Sequence, residues 1–215
     1  LSGSALKVIA MISMVIDHVA LYLMEQGTLL YETMRCIGRI AFPVFAFLIA
    51  EGFIHTRSRY RYFFTLLGFA VISEIPWYLL NGADGTHNVM FTLALGVATL
   101  MVLENLLQRS MVLGFFWTLG MAGVASWLGV DYEWRGIIVI VFFYLFNGYG
   151  HSLPYSRGMQ FFCTFVLMIH YGIIGAIMAC MILYLYNGER GFVQGSIAKY
   201  GFYAFYPVHL SILVY

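Results

Sequence analysis

The chain has 215 residues, of which 62% are hydrophobic and 10% charged, with a formal net charge of +1 and a mean hydropathy of +0.85. That composition excludes a soluble globular domain of this size, and the net charge says little beside its distribution. Apolar stretches of about 20 residues recur along the whole length, the signature of a polytopic membrane protein.

Read in chain order, the pattern predicts nine apolar helices, over 5–24, 37–55, 61–81, 89–107, 110–129, 134–147, 159–170, 171–187 and 199–215. The expected fold is therefore all-α: one helical bundle of about nine transmembrane spans forming a single domain, 1–215. The opening apolar run contains Asp17 and His18, which does not fit a cleaved signal peptide. The weakest reading is 159–187, either one long tilted helix or two short ones broken near His170-Tyr171-Gly172. Cys36, Cys163 and Cys180 follow neither a metal-ligand nor a CxxC spacing and read as small packing residues; no metal site is expected.

Positive charge orients the spans. Arg57, Arg59 and Arg61 lie between the second and third and mark a cytoplasmic loop. The N-terminus with Lys7 then also lies inside. The loop 25–36, with Glu25 and Glu32 against Arg35, lies outside. The arginine loop is either a topology signal or a contact for the phosphates of a cytoplasmic nucleotide or coenzyme.

Polar residues inside apolar spans are costly facing lipid, so their depth is informative. The stretch Met34–Glu51 carries Arg39 near one end. Pro43, lacking an N–H, frees the Arg39 carbonyl four residues back. At about 1.5 Å per residue, Asp17 and His18 lie roughly 15 Å past Lys7, in the outer half of the first span. Glu74 precedes Pro76 in the outer part of the third span, and Asn88 opens the fourth. Tyr132, Trp134 and Arg135 open the sixth, and His209 lies near mid-membrane in the last. Six spans thus bring polar groups to one depth, which favours a shared internal cavity.

A histidine there can take a proton from an incoming nucleophile, and a carboxylate can orient it. Asp17 and His18 are adjacent and point about 100° apart on a helix, so each needs a partner across helices. Asp17 is expected to meet Arg39 or Arg135, and His18 to meet Glu74. Arg39 or Asn88 can steady an oxyanion. Each residue also has a structural reading, as an interhelical hydrogen bond or ion pair. His55, His87, His151 and His170 read as loop or helix-end residues, and Glu51 and Glu104 lie near inner helix ends. This pattern does not separate acyl transfer from a proton-coupled transporter or a non-catalytic assembly factor. The absence of matching broken helices in two halves weighs against the transporter.

Several blocks carry a resemblance: LKVIAMISMVIDH at 6–18, GRIAFPVFAF at 38–47, SEIPWYL at 73–79, NVMFTLALG at 88–96 and KYGFYAFYPVHLSIL at 199–213. As an ordered set they resemble the TraX family of bacterial membrane proteins, associated with N-terminal acetylation of conjugative pilin. Between 106 and 187 only YEWRGI at 132–137 matches. The family is in turn similar to multi-span acyltransferases such as the lysosomal glucosaminide acetyltransferase.

The resemblance implies a bacterial inner-membrane acyltransferase with an essential histidine and acetyl-CoA as cytoplasmic donor. Its acceptor, a pilin-like peptide or a glycan, would reach in from outside. Asp17, His18, Arg39, Asn88 and His209 match the family blocks by position. Expected partners are the acyl donor, the acceptor, the lipid bilayer and a second copy of the chain, with no nucleic acid. The site expectation is His18 as general base, His209 as its competitor, Asp17 or Glu74 as orienting carboxylate, and Arg39 or Asn88 at the oxyanion. The donor phosphates are expected at Arg57, Arg59 and Arg61.

Overall fold

The computed structural model describes residues 1–149, 156–193 and 195–214. His151 and the last residue of the expected ninth span lie outside the described residues. Helices are α1 (Gly3–Leu23), α2 (Leu29–Gly38), α3 (Ala41–His55), α4 (Arg59–Asn81), α5 (Val89–Leu107), α6 (Met111–Leu128), α7 (Glu133–Tyr144), α8 (Ser156–Met168), α9 (Ile173–Tyr184) and α10 (Ser196–Val214). No strand occurs among the described residues, only an isolated bridge between His87 and Val130.

Among the described residues, five stretches are long and apolar enough to cross a bilayer: Gly3–Leu23, Leu29–His55, Arg59–Asn81, Val89–Leu107 and Met111–Leu128. That is a smaller number than the nine spans expected. Three of the four missing spans are short: α7, α8 and α9 have 12, 13 and 12 residues, whereas α10 is 19 residues long and is still not among the five. At about 1.5 Å per residue α7, α8 and α9 are each shorter than a hydrocarbon core of about 30 Å.

A correction concerns 25–36, expected as a loop. Leu29–Gly38 is helical, because the Thr28 side chain caps it by accepting from Tyr31 N at 3.2 Å. The chain breaks only at Arg39 and Ile40, between α2 and α3. Pro43 then falls in the first turn of α3, where a missing N–H costs nothing. The ambiguous 159–187 stretch is two helices. A 3₁₀ turn over Ile169–Tyr171 and Gly172 at φ 138° separate α8 from α9, which pack on each other.

α3 sits at the centre and packs against α1, α5, α7 and α9. Its Val44, Ala46, Ala50 and Phe53 are fully buried, with Val97, Leu100, Ile137 and Ile140 around them. α6 is at the opposite extreme: Met111 and Trp127 point outward, as on a lipid-facing helix. The N-terminal end is closed by the segment after α9. Gly3 N donates to Glu189 O at 2.7 Å, and Val193 N to Ser4 Oγ at 2.8 Å. At the far end two loops are tied together. His87 N donates to Gly129 O at 2.9 Å, and Asp131 N to His87 O at 3.0 Å.

Candidate functional site

The far end of the bundle brings together most of the polar residues singled out above. His18 lies on α1 and His209 on α10, 191 positions apart, and Nδ1 of His18 is 2.7 Å from Nε2 of His209. The rings are nearly parallel, 9° apart, with centroids at 4.9 Å. His209 Nδ1 lies 3.0 Å from the Phe205 carbonyl.

Those two distances assign the protons of the neutral pair. A carbonyl only accepts, so His209 carries its hydrogen on Nδ1 and presents a lone pair at Nε2. His18 must then donate from Nδ1, which leaves its own basic lone pair on Nε2. No described residue hydrogen-bonds that atom. The two histidines, expected as competitors, form one proton-ordered chain ending at a backbone carbonyl. Tyr206 packs on both rings, with centroids 6.4 Å from His18 and 5.4 Å from His209, and Tyr22 lies 5.9 Å from His18.

Asp17 departs from its expected pairing. Its carboxylate meets Arg35 at 2.6 Å, rather than Arg39 or Arg135. The other oxygen, Oδ1, is buried without a hydrogen-bond partner among the described residues. α2 is a helix, so Arg35 lies one turn before Arg39 and on the same face. The approach is close because residue 38 is glycine: a Cβ there would lie 2.1 Å from Asp17 Oδ1. Arg39 caps α2, and its guanidinium carbon stands 5.8 Å from the centre of the Tyr171 ring. Its electrostatic neighbours are Tyr132, Asp17 and Asp131. Tyr132 in turn stacks on Phe42 at 3.7 Å. Tyr132 and Glu133 both adopt positive φ, 63° and 44°, an uncommon backbone for residues with a Cβ.

Glu74 is the main pairing correction. It contacts His87 Nδ1 at 2.5 Å and accepts from Asn88 Nδ2 at 2.6 Å, leaving His18 to His209. Asn88 also donates to Ala70 O at 2.9 Å and caps α5 by accepting from Met90 N at 3.0 Å. Its amide hydrogens are thus committed, which leaves Arg39 as the better placed cation beside Asp17 and Asp131. His87, expected as a bland loop residue, belongs to a histidine–carboxylate pair that fixes the 82–88 loop.

Sequence reasoning gave no role to Asp131. Its backbone N–H bonds the His87 carbonyl, its side chain accepts from Tyr132 N at 2.9 Å, and its carbonyl accepts from Thr92 Oγ1. Burial pushes its carboxyl up to about 6, against the opposing pull of Arg39. A loop aspartate carries no such signal in sequence. Arg35 was recoverable from its four-residue spacing to Arg39.

At the opposite end, Arg59 is held by Glu104 at 2.5 Å and lies over the Phe53 ring. Arg57 and Arg61 are exposed. Glu51 gathers His55 at 3.1 Å, Tyr186 at 3.0 Å and Asn147. The three cysteines are free, and no cluster of metal-ligating residues occurs among the described residues.

An all-helical chain with several membrane-crossing stretches and a half-buried histidine pair at one end defines a multi-pass membrane protein with an internal polar site. The TraX protein family matches residues 2–215, and the chain belongs to it. It is similar to a probable fimbrial assembly protein, FimC of serogroup H1, from Dichelobacter nodosus: 32% identical over 235 residues, covering 99% of this chain and 94% of that one. It is also similar to the uncharacterized protein RP591 of Rickettsia prowazekii (strain Madrid E), 29% identical over 167 residues, covering 77% of this chain and 62% of the relative. No solved structure matches.

Proposed function

We propose that the chain is a membrane-embedded acyltransferase, moving an acetyl group from cytoplasmic acetyl-CoA to an acceptor presented from the outer side. The observation that carries this is the His18–His209–Phe205 chain, which leaves His18 Nε2 as a free base on the residue next to the Asp17–Arg35 pair.

In this reading His18 Nε2 takes the proton of an acceptor N–H or O–H as the nucleophile attacks the thioester carbonyl. The resulting imidazolium keeps its Nδ1 hydrogen on His209, which spreads and steadies the charge. Arg39 meets the oxyanion, and Asp17, itself balanced by Arg35, offsets the excess of positive charge. Collapse of the intermediate expels the coenzyme thiolate, which recovers the proton from His18. The relative named for fimbrial assembly favours a pilin-like peptide over a glycan as acceptor. The same name also favours a second reading, an assembly factor without chemistry.

Orientation follows the positive-inside rule: Arg57, Arg59, Arg61, Arg157 and the N-terminus lie on the cytoplasmic face of a bacterial inner membrane. Nine crossings, with α7, α8 and α9 spanning a locally thinned protein-filled region, keep the histidine pair toward the outside. The donor is a polyanion that cannot enter hydrocarbon unpaired, so its phosphates meet cations at the cytoplasmic face. Arg57 and Arg61 are available for this, whereas Arg59 is spent on Glu104.

The test is transfer from acetyl-CoA to a pilin-type peptide by purified protein in detergent. His18→Ala should lose about 10²–10⁴ in rate, the size of a general-base contribution, with coenzyme binding retained. His209→Ala should lower kcat while leaving KM near the wild-type value. A His18→Ala rate above about a tenth of wild type is too high for loss of a base and would sink the assignment. Absence of any transfer or acyl-CoA binding by the wild-type protein favours the assembly factor.

A further inference from the structure

The end of the bundle opposite the histidine pair contains a cavity of about 310 Å³. That is the lower edge of the range for small-molecule sites. It lies among α3, α7, α8, α9 and the segment after α9. One wall is the Glu51 cluster, in which Asn147 and Tyr186 both donate to the carboxylate. Asn147 gets there because α7 runs on into a π-helical turn, Leu145–Tyr149. Such turns are rare and recur at functional sites.

The facing wall is a face of α8. Arg157, Gln160 and Thr164 follow one another at spacings of three and four, so they line one side of the helix. Thr164 Oγ1 donates to the Gln160 carbonyl at 2.7 Å. Among the described residues, the Arg157 guanidinium and the Gln160 amide have no partner. Phe47 and Phe143 close the remaining sides. The cavity therefore offers an uncommitted cation at an exposed edge, a free amide further in, and a narrow interior with aromatic walls. An adjoining groove shares Arg157 but is almost wholly apolar, bounded by Met181 and Leu185.

We propose that this cavity binds the phosphate-bearing, amide-rich arm of the acyl donor, with a phosphate on Arg157 and an arm amide on Gln160. The assignment rests on the acyl-CoA reading above and moves the donor's main anchor from the Arg57–Arg61 loop to α8. Polar groups on both walls suit an arm with its own amides and would leave a hydrocarbon tail facing buried polar atoms. A phospholipid carries the same phosphate chemistry, but its chains fit the adjoining apolar groove instead.

The experiment uses the full chain, purified in detergent, with free coenzyme A, which carries no acyl group and cannot turn over. Isothermal titration should show R157Q weakening coenzyme affinity by roughly 10- to 100-fold, the usual worth of a charged hydrogen bond. R57Q/R61Q should weaken it less. A second readout does not depend on the fold of the arginine variant: in a background lacking the three native cysteines, desulfo-coenzyme A, which has no thiol to consume the reagent, should slow maleimide labelling of Q160C. If coenzyme A binds the wild-type protein but neither R157Q nor Q160C reports it, the cavity is not the donor site and the acyltransferase reading stands. If the wild-type protein binds no coenzyme A, both fall. If phosphatidylglycerol in nanodiscs protects Q160C and desulfo-coenzyme A does not, the cavity is a lipid site and the assignment is overturned.

Discussion

Replacing Gly38 by alanine tests how tightly the site depends on helix approach. A Cβ at this position would lie 2.1 Å from Oδ1, 2.3 Å from Cβ and 2.4 Å from Cγ of Asp17. Rotating the carboxylate frees the first contact but not the second, because the Asp17 Cβ moves only with its backbone. α1 and α2 must therefore separate. Alanine for glycine inside a helix is worth about 1 kcal/mol in favour of the variant. Overpacking costs about 1–3 kcal/mol. Loss of the Asp17–Arg35 pair, whose side chains are only 15% and 16% exposed, adds up to about 3 kcal/mol. These contributions sum to a destabilisation of about 0–5 kcal/mol, centred on about 2.5 kcal/mol, or about 5–10 °C in Tm for a chain of this length. Since His18 follows Asp17 directly, its hydrogen bond to His209 should break and transfer should fall with it. Thermal unfolding in detergent and transfer rate are the assays. Gly68→Ala is the control, since nothing lies within 4 Å of its Cβ position, and it should be neutral or stabilising. A G38A protein that melts within a degree of wild type at full activity would refute the close-approach argument.

Two further outcomes are expected. Asp131 titrates at about 6 in the folded chain against an ordinary 3.8. The folded state thus holds the proton more tightly, and its stabilising effect is full below about 3.8 and lost as pH rises through about 6. D131N should flatten that slope and be more stable than wild type near pH 7–8, by up to about 3 kcal/mol, with no advantage near pH 4. Parallel Tm curves for the two proteins across this range would contradict the assignment. In a cysteine-free background, S58C should react with an impermeant maleimide in inverted membrane vesicles and stay unlabelled in intact cells. Labelling from outside reverses the orientation and puts the histidine pair on the cytoplasmic side.

How much of this was readable from the chain alone differs by element. Hydropathy and composition determine that the chain is helical and membrane-embedded, because a bilayer tolerates only segments that satisfy their own backbone. The ordered blocks from 6–18 to 199–213 determine the family. Depth counting along single helices also puts His18, Arg39, Asn88 and His209 toward one end, since rise per residue is a local property. What depth cannot supply is rotation of each helix about its axis, and that alone decides which groups touch. Hence His18 meets His209 and leaves Glu74 to His87, and Asp17 meets Arg35 because Gly38 lets two helices close together. The helix at 29–38 is masked by Glu32, Thr33 and Arg35, which interrupt its apolar residues, and depends on the Thr28 cap and packing against α1. Asp131 belongs to the site only because two loops distant in sequence bond through His87. Those contacts come from tertiary packing, which no periodicity within a single helix encodes.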